Sequence, residues 1–236
     1  MKLRTAIRYQ ILDLLKPLAI FYSIIILLMA TVTIIFAAVS SAENVSFSSM
    51  EFNSIFFLCF CGAFTFQDDF KLFIQNGMTR KMIFKSFLCE FFFISALMAL
   101  VETAIGTVLP NIFEYNPLFF HLYGNKGFVL QFIWLFLAYA ATVFLAYLAA
   151  TIWNRIGKIP FILGLIALGL ILFILFPAIN TATDGEFFNR ILPVLKLLMG
   201  YADNSVQLLY PSLFFAGVTL ACMAGSYLLT RRAEIK

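Results

Sequence analysis

The chain alternates long apolar runs with short polar segments. A helix that spans a bilayer needs about 20 mostly apolar residues. Six runs approach or exceed that length, and we expect membrane spans at about 17–39, 49–66, 82–109, 128–153, 159–179 and 206–230. The second run is the shortest and reaches spanning length only by including residues before Phe52. The pattern predicts an all-α integral membrane protein with six transmembrane helices.

The composition supports the same class. Of the 236 residues, 63% are hydrophobic and 12% are charged, and the mean hydropathy is +0.98. Soluble domains are about 45–50% apolar and about 25% charged. A soluble fold of this length has too little interior for so much apolar surface. These values exclude a secreted disulfide scaffold, a disordered regulator and a soluble enzyme.

The basic residues predict the orientation. Thirteen of the 16 lysines and arginines lie before the first span, after the second, after the fourth and in the C-terminal tail. The loops on the other side hold only Lys126, Arg190 and Lys196. Cytoplasmic loops of membrane proteins are rich in Lys and Arg. We therefore expect both termini in the cytoplasm, in agreement with an even number of spans. The first run is longer than the apolar core of a signal peptide, so we expect it to stay uncleaved.

Residues 2–16 have helical periodicity with one apolar face. That face comprises Leu3, Ile7, Ile11, Leu14 and Leu15. A basic amphipathic helix ahead of a span is typical of an interfacial helix on the inner leaflet. Proline interrupts the hydrogen bonding of a helix, so we expect a corner at residue 17. The alternative is a frayed, solvated leader.

The segment between the second and third spans carries its own start and stop signals. Asp68 can cap a helix, and Asp69 suits the positive end of the helix dipole. Gly77 suits the left-handed residue that ends a helix, and Thr79 can cap the helix that follows. The pattern predicts a short cytoplasmic helix over residues 68–77.

This short helix has one apolar face. Phe70, Phe73 and Ile74 have the spacing i, i+3 and i+4. Such a face suits the groove of a soluble partner. Insertion of the same side chains into the inner leaflet is the alternative.

The leader, the six spans and the sequence Phe70-Lys71-Leu72-Phe73-Ile74-Gln75-Asn76-Gly77-Met78-Thr79-Arg80-Lys81 resemble permease subunits of small bacterial type-2 ABC exporters. The resemblance implies that residues 68–77 form a coupling helix docked on a separate ATPase, which binds ATP and Mg. It implies a connecting helix at 2–16, a dimer with a second copy or a related permease, and a location in the bacterial plasma membrane. The coupling residues it implies are Asp68, Asp69, Phe70, Phe73, Ile74, Gly77, Thr79, Arg80 and Lys81.

Residues 187–200 fit neither a span nor a solvated loop. Eight apolar residues are interrupted by Pro193. Irregular backbone is tolerated near the membrane only where it packs on protein or lies at the interface. We expect an outer-face segment that is either re-entrant or a plain amphipathic helix on the outer leaflet.

Catalytic and metal-binding patterns are missing from the sequence. It has no Gly-x-x-x-x-Gly-Lys-Ser/Thr phosphate loop, and His121 is its only histidine. Its four cysteines lie in apolar stretches, where cysteine behaves as a small hydrophobic residue. We expect no enzyme activity, no cofactor, no metal site and no nucleic-acid partner for this chain.

Two acids lie inside the third span, where a carboxylate is costly and normally faces the bundle interior or water. For Glu90 we expect a structural partner, either Lys85 or a neighbouring helix. For Glu102 two roles remain open, contact with a cationic substrate and hydrogen bonding between helices.

The leading functional prediction is the membrane-spanning half of an ABC exporter for a hydrophobic or amphipathic substrate. A peptide, a drug or a lipid fits this description, which includes export of, or resistance to, antimicrobial peptides. The alternatives are a non-transporting scaffold or sensor that recruits a cytoplasmic partner, and an ion-coupled transporter that uses Glu90 and Glu102.

Overall fold

The computed structural model of the chain describes residues 2–39, 46–47, 49–111, 114–171, 174, 176–183, 186–202 and 205–231. The helices are α1 (Lys2–Val39), α2 (Glu51–Gln75), α3 (Arg80–Val108), α4 (Leu118–Tyr123), α5 (Phe128–Ile156), α6 (Lys158–Leu170), α7 (Phe176–Ala182), α8 (Glu186–Leu198) and α9 (Leu209–Arg231). A 3-10 turn covers Leu109–Asn111. Three loops contain two-residue strands. Strand β1 (Ser46–Phe47) pairs in parallel with β2 (Glu114–Tyr115), and β3 (Tyr201–Ala202) pairs antiparallel with β4 (Ser205–Val206).

Within these ranges, four helices are long and apolar enough to cross a membrane: the Lys2–Val32 part of α1, and α3, α5 and α9. They agree with the predicted class of helical membrane protein. The count of six spans stays a prediction. The fifth predicted span begins in α6, which has 13 residues, and continues through positions that lie partly outside the described residues.

Helix α5 forms the centre of the bundle and contacts α2, α3, α6 and α9. Its buried side chains meet aromatic side chains of α3. Phe91 packs edge-on against Phe144 at a centroid distance of 5.4 Å and against Tyr147 at 5.2 Å. Phe87 contacts the same tyrosine at 5.4 Å. Such pairs add to the stability gained from burying the rings. The part of the core between α3 and α5 is therefore an aromatic interface.

Helix α1 is continuous, so the predicted corner at Pro17 is absent. The buried residues Ala6, Gln10, Leu14 and Leu18 recur every four positions on both sides of the proline. Because this stripe runs straight on, packing keeps the two parts of α1 on one axis. Proline is tolerated in membrane helices where neighbouring groups compensate for the lost hydrogen bond.

Helix α2 is also continuous, and this corrects the prediction of a separate helix that begins at Asp68. Glu51, Ser54, Leu58 and Gly62 are buried on one face. Phe70 and Phe73 extend that face toward the C-terminus of the helix. The aspartates at 68 and 69 therefore lie inside a 25-residue helix that ends at Gln75.

The termini of the helices and the loops between them lie at two opposite ends of the bundle. At the basic end, Lys2 Nζ donates to the Asn76 carbonyl (3.3 Å), and Arg80 Nη1 donates to the Arg231 carbonyl (2.7 Å). The start of α1, the α2–α3 turn and the end of α9 thus lie together. We name this the basic end. Its assignment to the cytoplasm stays a prediction.

The opposite end is closed by loops. The Tyr123 hydroxyl donates to the Met199 carbonyl (3.0 Å), and the Tyr201 hydroxyl donates to the Leu122 carbonyl (2.9 Å). Residues 186–198 form helix α8, which contains Pro193 and has no buried residue. The expected outer-face segment at 187–200 is therefore mostly a regular helix lying on the surface of the bundle.

Candidate functional site

The α2–α3 elbow, residues 69–81, is a closed turn between two long helices. Gly77 has φ of 70°, and its N–H donates to the Ile74 carbonyl (2.8 Å). The Met78 N–H donates to the Phe73 carbonyl (3.0 Å). These two bonds form a Schellman motif, for which a left-handed residue is required. The predicted stop at Gly77 is confirmed.

The following helix starts as the sequence predicts. Thr79 is extended and its side-chain oxygen accepts from the Met82 N–H at 3.4 Å. Only Met78 and Thr79 lie between the Gly77 turn and the first residue of α3. The elbow is therefore a short, hydrogen-bonded connection between the two helices.

The aromatic residues of the elbow face inward. Phe70 and Phe73 are 5% and 4% exposed, and Ile74 is half-buried. Phe73 packs against Tyr9 of α1 and Phe87 of α3, with centroids 6.4 Å away in both cases. The expectation that these phenylalanines face a soluble partner is therefore corrected. They anchor the elbow to the bundle.

A different set of elbow side chains is accessible. We name it the elbow surface: Lys71, Leu72, Gln75, Asn76, Thr79, Arg80 and Lys81. It carries three positive charges and no carboxylate. Of the predicted coupling residues, Thr79, Arg80 and Lys81 lie on it, and Gly77 is exposed beside it. The side chain of Asp68 lies outside the described residues.

A pocket of about 460 Å³ separates the elbow from the first turns of α1. Its lining includes Lys2, Tyr9, Leu72, Phe73 and Met78. The wall is mostly apolar and has one ammonium group at its rim. This pocket is a concave region directly beside the elbow surface.

Glu102 is the centre of a buried hydrogen-bond cluster. Its carboxylate, 3% exposed, accepts from Ser54 of α2 and Tyr139 of α5. Tyr22 of α1 donates to the same group at 3.4 Å. The carboxylate thus joins four helices. The sequence predicts two alternative roles for Glu102, contact with a cationic substrate and hydrogen bonding between helices. The structure shows hydrogen bonds of the second kind.

Glu90 has different surroundings. It is also 3% exposed, but its Oε2 is buried with no hydrogen-bond partner among the described residues. An ion pair of the described residues joins Arg190 to Glu186 (3.3 Å) at an exposed position of α8 and does not involve Glu90. The predicted partner Lys85 is exposed. The expected pairing of Glu90 with Lys85 is therefore not found.

A third buried acid, Glu51, was not singled out by the sequence. It accepts from the Leu118 N–H (3.0 Å) and from the Tyr115 hydroxyl (3.4 Å). Burial and the nearby Glu51 carboxylate raise the pKa of Tyr115, so this hydroxyl stays protonated and can donate. The signal in the sequence is weak, because an acid at the start of a helix is ordinarily a solvated dipole partner. These hydrogen bonds connect the start of α2 to Tyr115 and Leu118, at the end of the bundle opposite the basic end.

Over the described residues, no group of three or more His, Cys, Asp or Glu side chains converges in a way that could hold a metal ion. Comparison with family models, with curated proteins and with solved structures finds no match to this chain.

Proposed function

We propose that the chain is the membrane-spanning subunit of a bacterial ABC exporter, and that a separate cytoplasmic ATPase docks on its elbow surface. The observation that carries the proposal is an exposed, basic turn that is hydrogen-bonded to the ends of two other helices. Its Asn76 carbonyl accepts from Lys2 of α1, and its Arg80 side chain donates to the Arg231 carbonyl of α9. The resemblance of residues 70–81 to exporter permeases supports it independently. In this proposal the basic end faces the cytoplasm of the cell, as its concentration of Lys and Arg favours.

The contacts of the elbow explain how its displacement by a bound partner would move the membrane helices. Lys2 links the elbow to α1, and Arg80 links it to α9. Phe73 is wedged between α1 and α3. A displacement of the elbow by a partner would therefore move three helices together. ATP binding by the partner would favour one arrangement of the bundle through its differential affinity for the two.

Substrate and stoichiometry follow from the same proposal. The chain carries a hydrophobic or amphipathic compound such as a peptide, a drug or a lipid. A second copy or a related permease completes the pathway, and ATP and Mg bind to the ATPase. The exposed apolar side chains along α1 and α6 leave room for such a partner or for lipid.

The test is a charge reversal on the elbow surface. Lys71 and Lys81 are both exposed, and the double variant Lys71→Glu/Lys81→Glu turns two attractive charges into two repulsive ones. We expect the Mg-dependent ATP hydrolysis that copurifies with the variant to be at least 10-fold lower than that which copurifies with the wild-type protein. The matched control is Lys126→Glu/Lys196→Glu, two exposed lysines elsewhere on the molecule that carry the same change in charge.

Equal ATP hydrolysis in the two double variants would refute docking at the elbow. Hydrolysis that depends on the elbow but is never accompanied by transport into vesicles would favour the scaffold or sensor. The ion-coupled alternative has one observation in its favour, the unpartnered carboxylate oxygen of Glu90. Transport that continues without ATP would establish that alternative.

A further inference from the structure

Three carboxylates, each on a different helix, form a series in which burial increases from one to the next. Asp13 of α1 is exposed, Asp69 of α2 is half-buried, and Glu90 of α3 is buried. The charges of Asp69 and Asp13 both act on Glu90. Acids are rare at membrane depth and normally serve a function there. This series therefore extends from the protein surface to the Glu90 carboxyl group, whose Oε2 has no hydrogen-bond partner among the described residues.

The innermost part of the series has acceptor atoms without donors. Glu90 Oε2 and Gln10 Oε1 are both buried and have no partner in the described part of the chain. Gln10 is 1% exposed, and its Nε2 donates to Asp69 Oδ2 at 3.2 Å. The opposite orientation of the amide would place its oxygen against the carboxylate, acceptor to acceptor. The bond to Asp69 therefore fixes the unpartnered oxygen on the other side.

Among the described residues, the ionisable groups that act on Glu90 bring no positive charge. They are Asp13 on α1, Asp69 and Cys61 on α2, and Tyr147 on α5. Each of them is neutral or negative. A buried charge without a partner is very costly, and a neutral group is far cheaper. A proton on Glu90 removes the charge and also supplies the donor that the site lacks.

We propose that Glu90, together with Gln10 and Asp69, forms a proton-binding site that is loaded from the basic end past Asp13. A proton suits the site better than a metal ion, because no described set of three or more His, Cys, Asp or Glu side chains converges to ligate one. The bound proton holds α1, α2 and α3 together at the basic end. Its release places a third negative charge beside Asp69 and Asp13 and drives α1 away from the other two helices.

Infrared difference spectroscopy on the full-length protein in lipid vesicles tests this site. As the pH is raised, we expect the wild-type protein to lose a protonated-carboxyl C=O band that belongs to Glu90. Glu90→Gln abolishes this band, and Glu90→Asp retains it at a shifted frequency. The matched control is Glu102→Gln on the same helix, which keeps the Glu90 band because Glu102 belongs to a separate cluster with its own three hydroxyl donors. Gln10→Met shifts the frequency of the band, since it removes both the buried acceptor and the donor to Asp69.

Wild-type and Glu90→Gln spectra that are identical would overturn the proposal. So would a band that is displaced by sodium at constant pH, since this would make the site a metal site. If the Glu90→Gln variant is not recovered folded, the Glu90→Asp shift decides, and an unshifted band contradicts the assignment. No ATPase is present in this experiment, so its result is independent of the proposed exporter function.

Discussion

Glu90 and Glu102 lie twelve residues apart on one helix, about 18 Å along its axis, and their surroundings differ completely. Three hydroxyl groups from three other helices converge on Glu102, whereas Glu90 Oε2 has no donor within the described ranges. The sequence predicts that both acids face the interior, because lipid exposure is too costly. It cannot predict which one has partners. The donors Tyr22, Ser54 and Tyr139 are distant in sequence and meet Glu102 only through packing.

The hydrogen bond from Tyr139 to Glu102 leads to a prediction about stability. Tyr139→Phe keeps the ring and removes one donor from a buried carboxylate. We expect the free energy of unfolding in detergent micelles to fall by about 1–3 kcal/mol, the usual loss when a buried polar group is left short of a partner. Tyr210→Phe is the control, because Tyr210 is half-buried on α9 and its change should stay within about 0.5 kcal/mol. Equal losses in the two variants would show that the cluster contributes nothing specific.

At the scale of elements, local signals succeeded where the chain turns and failed where packing overrides them. The stop at Gly77 and the cap at Thr79 are correct, because a left-handed residue and an N-cap are needed wherever a helix ends and another begins. Pro17 and Asp68 are possible helix boundaries by the same local rules, yet both lie inside helices. In each case a buried stripe continues past the residue. Such a stripe depends on tertiary contacts that a single sequence does not reveal.

The contact between α2 and α5 depends on a glycine that the sequence analysis did not single out. A Cβ at Gly62 would collide with the Val143 carbonyl and would lie 3.0 Å from Ala146 Cβ and 3.2 Å from the Tyr147 nitrogen. Backbone atoms cannot move aside easily, so we expect Gly62→Ala to lower the free energy of unfolding by about 1–3 kcal/mol, as overpacking does.

Gly217→Ala on α9 is the matched control for this variant. Nothing lies within 4 Å of a Cβ there, and alanine is the better helix former by up to about 1 kcal/mol. We expect this control to be neutral or stabilising in the same unfolding titration. A Gly62→Ala variant as stable as its control would show that α2 and α5 are not in such close contact.

At the scale of the whole molecule, the sequence predicts a large apolar surface but does not predict what covers it. The described side chains of α6 are all at least partly exposed, and α8 has no buried residue. Hydropathy predicts that such helices belong in or on a membrane. It does not distinguish lipid from a second copy of the chain, since both present hydrocarbon. The class of membrane protein therefore follows from composition alone, whereas the assembly depends on surfaces that no pattern in the sequence identifies.

We propose that a cytoplasmic ATPase contacts the elbow surface. This proposal is tested most directly by placing the photoreactive amino acid benzoylphenylalanine at Gln75, an exposed position in the last turn of α2, and at the control position Asn189 on α8. After irradiation of native membranes, we predict a covalent adduct from position 75 whose partner is an ABC ATPase, and none from position 189. Absence of that adduct at position 75, or its formation from position 189, would contradict the account.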